Sequence, residues 1–253
     1  MKLNPCILFL LIVACGCNPQ IKVNSDQIYS RHLQKHINLS VISTPIPKNK
    51  SDLNLLIIND ANLLKEMDIK NVLDTYYRKK MIKPLIIVGV EPFDPDQEYG
   101  VAGFTENNKG TLAVKYDNFI VNELLPFIKK KSGVRKFNSI TIAGSGRSGT
   151  SAFDIAWENW QIFDRVGYLG DLNHSLKDTD YSLLAQKITQ SRKKPRLQFW
   201  LCQNDYTNMQ QIFDVLDKKG IQGVSRVGLE EVKTENPHYE SIFPFLIWIG
   251  QVY

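Results

Sequence analysis

The chain has 253 residues, 43% of them hydrophobic, enough to bury one sizeable core, so a single domain is the default. Its formal charge of +5 comes largely from short solvated runs such as Lys129-Lys130-Lys131 and Arg192-Lys193-Lys194, with few aromatics interleaved, which argues against a nucleic-acid partner. Of four cysteines only Cys202 lies in the body of the chain, so no disulfide framework is implied.

Lys2 followed by the apolar stretch Cys6 to Ala14 (CILFLLIVA) has the form of an export signal, too short to cross a bilayer core of ~30 Å as a helix. Residues 1–14 are expected to be a signal peptide. Ile12-Val13-Ala14-Cys15 resembles a bacterial lipobox, which makes Cys15 the expected lipidation site and the chain an exported, membrane-anchored lipoprotein of the cell envelope. Cys17 is the alternative site, and a soluble secreted protein the plainer reading. Residues 15–26 read as a polar tether and 27–253 as the folded domain, with order beginning near Ile28.

From there the pattern alternates. His36 to Thr44 (HINLSVIST) alternates apolar and polar residues, as a half-exposed strand does. Leu53 to Ile58, Pro84 to Val90 and Ser139 to Ala143 are continuous apolar runs that suit strands buried on both faces. Helical periodicity falls between them, at Val72 to Lys80 and Tyr116 to Lys131. Helices are further expected at Thr150 to Trp160, Tyr181 to Thr189, Met209 to Lys218 and Glu240 to Gln251. Strands alternate with them at Arg165 to Leu169, Arg196 to Leu201 and Val224 to Val227. This order predicts an α/β fold with a mostly parallel central sheet and helices on both faces.

Between a strand and a helix stands Ala143-Gly144-Ser145-Gly146-Arg147-Ser148-Gly149. Gly144-x-Gly146-x-x-Gly149 fits the dinucleotide fingerprint, with Asp171 at about the spacing of a ribose-binding acid. A dinucleotide fold normally opens with that unit, however, and here several strands precede it. A nucleophile elbow explains more: it needs small residues two before and two after the nucleophile. Gly146 has Gly144 and Ser148 at those flanks; Ser145 would have Ala143 and Arg147, and Ser148 would have Gly146 and Thr150. The best register therefore puts a hydrogen where the hydroxyl belongs.

Over nearly the whole mature chain the sequence resembles the Putative esterase family of α/β-hydrolases, related to esterase D and enterochelin esterase. The resemblance is carried by Leu55 to Asn62 (LLIINDAN), Gln97 to Gly103 (QEYGVAG), Phe119 to Ile128 (FIVNELLPFI), Ala152 to Leu169, Phe199 to Asp205 (FWLCQND), and Pro237-His238 with Phe245 to Trp248. It implies an α/β-hydrolase fold, with Asp205 as the acid that orients an imidazole and His238 as the general base, in the chain order nucleophile, acid, histidine. It implies an oxyanion hole from the backbone N–H groups of Arg147 and Ala61. The family shows Gly-x-Ser-x-Gly-Gly at the elbow, with an apolar residue where this chain has Arg147.

The expected protein is thus an esterase-like hydrolase scaffold with its nucleophile lost at Gly146, binding a small-molecule or acylated-glycan ligand. The alternatives are a working ester hydrolase with Ser145 or Ser148 as nucleophile, and a dinucleotide-binding protein. Arg147 at a helix N-terminus suggests an anion pocket formed with Gly146 and Ser148, the plainer reading being a side chain that packs along the surface with its head in water. Neither a cofactor nor a metal is expected, since His32, His36 and His174 lack ligand spacing.

Overall fold

The computed structural model describes residues 21–104, 110–170, 178–203, 206–228 and 237–250. Its frame is an eight-stranded sheet. The first two strands, β1 (Lys22–Ser30) and β2 (Lys35–Ser43), form a hairpin at one edge. Residues 22–26, expected to be part of a tether, instead pair with β2. Sequence pattern missed this strand because β1 is an edge, exposed along most of its length, and lacks the apolar run that marks the interior strands.

Next come β3 (Asn54–Asn59), the short helix α1 (Asn62–Glu66), α2 (Ile69–Arg78) and β4 (Leu85–Val90). A single turn, α3 (Pro95–Glu98), precedes α4 (Ala113–Phe119), which runs through a π turn at Ile120–Leu124 into α5 (Leu125–Ser132). The second half alternates strictly: β5 (Ile140–Gly144), α6 (Gly146–Glu158), β6 (Arg165–Tyr168), α7 (Asp178–Gln190), β7 (Gln198–Gln203), α8 (Tyr206–Lys218), β8 (Val224–Gly228) and α9 (Pro237–Gly250). In space the strands run β1-β2-β4-β3-β5-β6-β7-β8, and all pairs from β4 to β8 are parallel. Only β2 against its two neighbours is antiparallel.

Every residue of β3, β4 and β5 is buried, as their unbroken apolar runs require. Successive residues feed opposite faces. Leu55 and Ile57 join Tyr116, Phe119, Phe153 and Trp157 in one core, while Leu56 and Ile58 join Leu64, Val72, Phe245 and Trp248 in the other. Parallel strands buried on both faces in this way put all their C-terminal ends, and the loops that follow them, on one side of the molecule. The turn after β5 lies there, near the middle of the sheet, flanked by β3 and β6.

Candidate functional site

The strand β5 ends at Gly144 and α6 begins at Gly146, so the chain turns from strand to helix across a single residue, Ser145. The helix begins four residues earlier than periodicity predicts, because the glycines that read as loop are its first turn. Gly146 has φ of +53°, in the left-handed region that costs an ordinary side chain roughly 1–2 kcal/mol. Gly144 is required for a different reason: a Cβ there would stand 2.5 Å from the Ser148 carbonyl carbon and oxygen. The flanking position two before Gly146 therefore admits glycine alone without backbone movement, the constraint that a nucleophile elbow imposes.

Both serines beside Gly146 are tied into the turn. The Ser145 hydroxyl donates to the Gly170 carbonyl at 2.6 Å, and the Gly146 N–H donates to the same oxygen at 2.9 Å. Ser148 is buried; its hydroxyl donates to the Ser145 carbonyl at 2.9 Å and accepts from the Ser145 N–H at 3.0 Å. Such reciprocal bonds satisfy donors and acceptors that a helix start leaves without partners. From below, Asn59 Nδ2 donates to the Ser148 carbonyl at 3.2 Å, and the Tyr116 hydroxyl donates to Asn59 Oδ1 at 3.1 Å. The end of β3 thus braces the elbow.

Arg147 occupies the second position of α6, where the backbone N–H has no acceptor within the helix. Its guanidinium pairs with Asp96 of α3 at 2.5 Å, across a gap of 51 residues in sequence. The positive charge expected to attract an anion is therefore already met by a carboxylate. Ala61, the other expected oxyanion-hole donor, gives its N–H to the Val90 carbonyl at 2.9 Å and in this conformation offers it to the sheet. Asp60, just before it, has φ of +73° and accepts from the Asn62 N–H through Oδ1. His238 is the second residue of α9, and its side chain lies outside the described set. Asp205, Asp171, His174, Cys15 and Cys17 also lie outside the described residues.

A pocket of about 200 Å³ opens at the elbow, walled by Asp60, Glu66, Asp96, Tyr99, Ser145 and Arg147 among others. Three of these carry carboxylates. Sequence reasoning missed this set because its members come from three separate loops; the signal available was the acid-rich Asp94 to Glu98 beside the quoted segment at Gln97. Deeper in the molecule, Asp154 on α6 is buried, accepting from the Ala102 N–H at 2.7 Å and pairing with Lys187 of α7 at 2.6 Å. Lys187 also donates to the Ala102 carbonyl at 3.0 Å, so the loop after α3 is clamped to both helices. Burial pushes the Asp154 carboxyl up, and Lys187 draws it partly back. Among the described residues no group of His, Cys, Asp or Glu is arranged to hold a metal ion, and no helix is long and apolar enough to cross a membrane. Cys202 is buried, and desolvation pushes its thiol up to about 12, leaving it unreactive.

Comparison with known proteins agrees with this architecture. The family model described as "Putative esterase" matches residues 30–229. No curated protein matches. Among solved structures, a ferulic acid esterase superposes with a TM-score of 0.73 at 14% identity, covering 93% of this chain and all of that one. Enterochelin esterase from Shigella flexneri gives 0.74 at 16% identity over 92% of this chain, which spans 60% of that protein's length. An IroE-like serine hydrolase from Shewanella oneidensis gives 0.61 at 16% identity over 90% of this chain and 79% of that one. The fold common to them is the α/β-hydrolase type, and the glycine loop here follows the fifth strand of the sheet, whereas a dinucleotide fold normally opens with such a loop.

Proposed function

This chain belongs to the Putative esterase family, and from that premise we propose that it is an esterase scaffold with a silenced nucleophile, which binds an ester- or glycan-related ligand without efficient turnover. One observation carries the reading: the residue at the elbow, in the left-handed conformation between Gly144 and Ser148, is Gly146 and has no side chain to attack with. Removal of the nucleophile from a serine hydrolase lowers turnover by about 10⁶, leaving only what the oxyanion hole and binding provide. Here even that remainder is reduced in the observed conformation, since the Ala61 N–H is given to Val90.

A second reading, an active hydrolase, draws on Ser145, which lines the pocket and is only half-buried. It would have to give up its bond to the Gly170 carbonyl and point its oxygen out of the turn. Fluorophosphonate labelling and hydrolysis of a short-chain p-nitrophenyl ester separate the two. The parent protein is expected to be silent, and Gly146→Ser to label and to hydrolyse at least ~10²-fold faster, within the range a restored nucleophile can recover. Labelling of the parent that is abolished by Ser145→Ala or Ser148→Ala would overturn the proposal.

The same proposal places the protein at a membrane, exported and held by a lipid on Cys15, on the strength of the lipobox-like Ile12-Val13-Ala14-Cys15. Radiolabelled palmitate fed to cells expressing the chain is expected to enter the protein. Cys15→Ala is expected to remove the label, and unchanged labelling would point to Cys17.

A further inference from the structure

The parallel strands give the molecule two ends, and charge is divided between them. On the elbow side, the connections that leave β3 and β4 carry Asp60, Glu91, Asp94 and Asp96. At the opposite end the connections that enter the strands are basic: Lys80 and Lys83 lead into β4, Arg135 and Lys136 into β5, Lys194 and Arg196 into β7. All of these are exposed, and none pairs with a carboxylate among the described residues. The described carboxylates in the same connections are Asp52 and Asp164, and Asp164 accepts from the Ile140 N–H at 2.8 Å. A helix dipole accounts for lysines in a last turn, such as Lys129 to Lys131 of α5, but the basic residues named above stand beyond the helices. Two further features mark this end. Ile46 and Met81, both large and apolar, are 47% and 46% exposed. They lie in adjacent connections, since the Thr44 N–H donates to the Leu85 carbonyl and the Asn54 N–H to the Pro84 carbonyl. Lys48 and Lys50 follow the first in sequence, and Lys80 and Lys83 bracket the second. The N-terminal segment also joins the fold here: Lys22 pairs with Ser43, and Ser43 with Ile86 near the start of β4. From Cys15 to Lys22 the chain can extend at most ~25 Å.

We infer that this end of the sheet is a docking face for an anionic phospholipid bilayer, with its lysines and arginines on the head-group phosphates, Ile46 and Met81 entering the interface, and the elbow turned toward water. Basic side chains hold the surface through its charge, and apolar ones set among them reach the acyl boundary. A soluble polyanion would satisfy the charges but leave Ile46 and Met81 in water. The orientation rests on the membrane placement proposed above and adds to it: a lipid on Cys15 and the basic face are two attachments at one end of the molecule. The acidic elbow side, facing away, is then repelled by the same bilayer that draws the other end in.

Lysine acetylation by a water-soluble reagent, read residue by residue by mass spectrometry, maps the docked face on the full-length chain. The chain is mixed with vesicles of phosphatidylcholine, either alone or with about 30% phosphatidylglycerol. On the anionic vesicles Lys80, Lys83, Lys136 and Lys194 are expected to react at least ~5-fold more slowly than on neutral ones, while Lys65 and Lys115, on the elbow side, react equally on both. Salt at ~1 M, which shortens the screening length to ~3 Å, is expected to abolish the difference. Lys80→Gln with Lys83→Gln is expected to lower the ratio of binding on anionic to neutral vesicles about twentyfold, near the worth of two lysines at a charged surface. Ile46→Ser with Met81→Ser is expected to lower the same ratio at least ~5-fold. Equal reactivity on the two kinds of vesicle, slowing at Lys65 and Lys115 in place of the basic end, or protection by soluble polyglutamate and not by vesicles would overturn the inference. Failure of palmitate labelling would remove the anchor and leave the acetylation pattern to decide the face. A flat pattern on a labelled chain would keep the anchor and remove the face, so the two fail separately.

Discussion

The first turn of α6 and its third turn carry polar groups on the same helix, about two turns apart, and the protein uses them in opposite ways. At the first turn Arg147 reaches out to Asp96, a carboxylate that is 70% exposed, at the edge of a pocket. At the third turn Asp154 is buried under Ala102 and Lys187, and Glu158 beside it holds Lys187 and Lys193. Water screens the first pair, so it contributes little to stability. The second cluster has exchanged water for fixed partners, so its value is in holding the loop above it, and it is costly to disturb.

That contrast breaks most sharply at Lys187. Lys187→Met leaves Asp154 buried without its cation and is expected to destabilise the protein by about 3–5 kcal/mol at neutral pH, read by urea unfolding. Burial already favours the protonated Asp154 carboxyl, so the deficit is expected to shrink as the pH is lowered; an equal deficit at pH 5 and pH 8 would show that packing, not charge, is lost.

Asp117 on α4 sharpens the comparison at intermediate scale. It accepts from Asn159 at 2.8 Å, and burial followed by the nearby Asp154 raises its carboxyl from 3.8 to about 6. The folded chain therefore holds a proton there that the unfolded chain has released, and stability contributed by that proton is present below the unfolded value and lost as the pH rises through about 6. Asp117→Asn keeps the acceptor for Asn159 and removes the charge. It is expected to stabilise by about 1–2 kcal/mol at pH 8, after allowance for partial exposure, and by only a small fraction of that at pH 4. Thermal melts at the two pH values check this, and a gain that is the same at both would rule out the charge as its cause.

The smallest effect is expected at the rim. Asp96→Ala opens the pair with Arg147 and is expected to change stability by about 0.2–1 kcal/mol, as exposed pairs do. A loss comparable to that of Lys187→Met would mean that the rim is structural and that the two turns are not distinct.

Much of this was legible in the sequence, for physical reasons that also explain what was not. Leu53 to Ile58 and Pro84 to Val90 read as buried strands because a strand covered on both faces has no room for polar residues. The need for glycine at 144 was legible from steric demands alone, since a Cβ there would meet the Ser148 carbonyl. The start of α6 was read too late because glycine and serine disfavour helix interiors, yet are at home in a first turn that must bend sharply. Arg147 was read as a free cation because Asp96 is 51 residues away, and no local pattern reports a partner at that distance. Asp60, Glu66 and Tyr99 became a set only when β3 and β4 brought their loops together.

The hairpin at the sheet edge has a mechanical consequence. Lys22, where β1 begins, is paired with Ser43, where β2 leaves for the body, so a pull on the N-terminal segment loads that end of the ladder first. Hydrogen bonds perpendicular to the strands then part in succession, not all at once. The unzipping meets its stop at Ser30, buried and bonded to Glu123, with the Arg31 N–H held by the same carboxylate. A load applied at Lys22 would thus be taken up within the hairpin, four strands from the elbow.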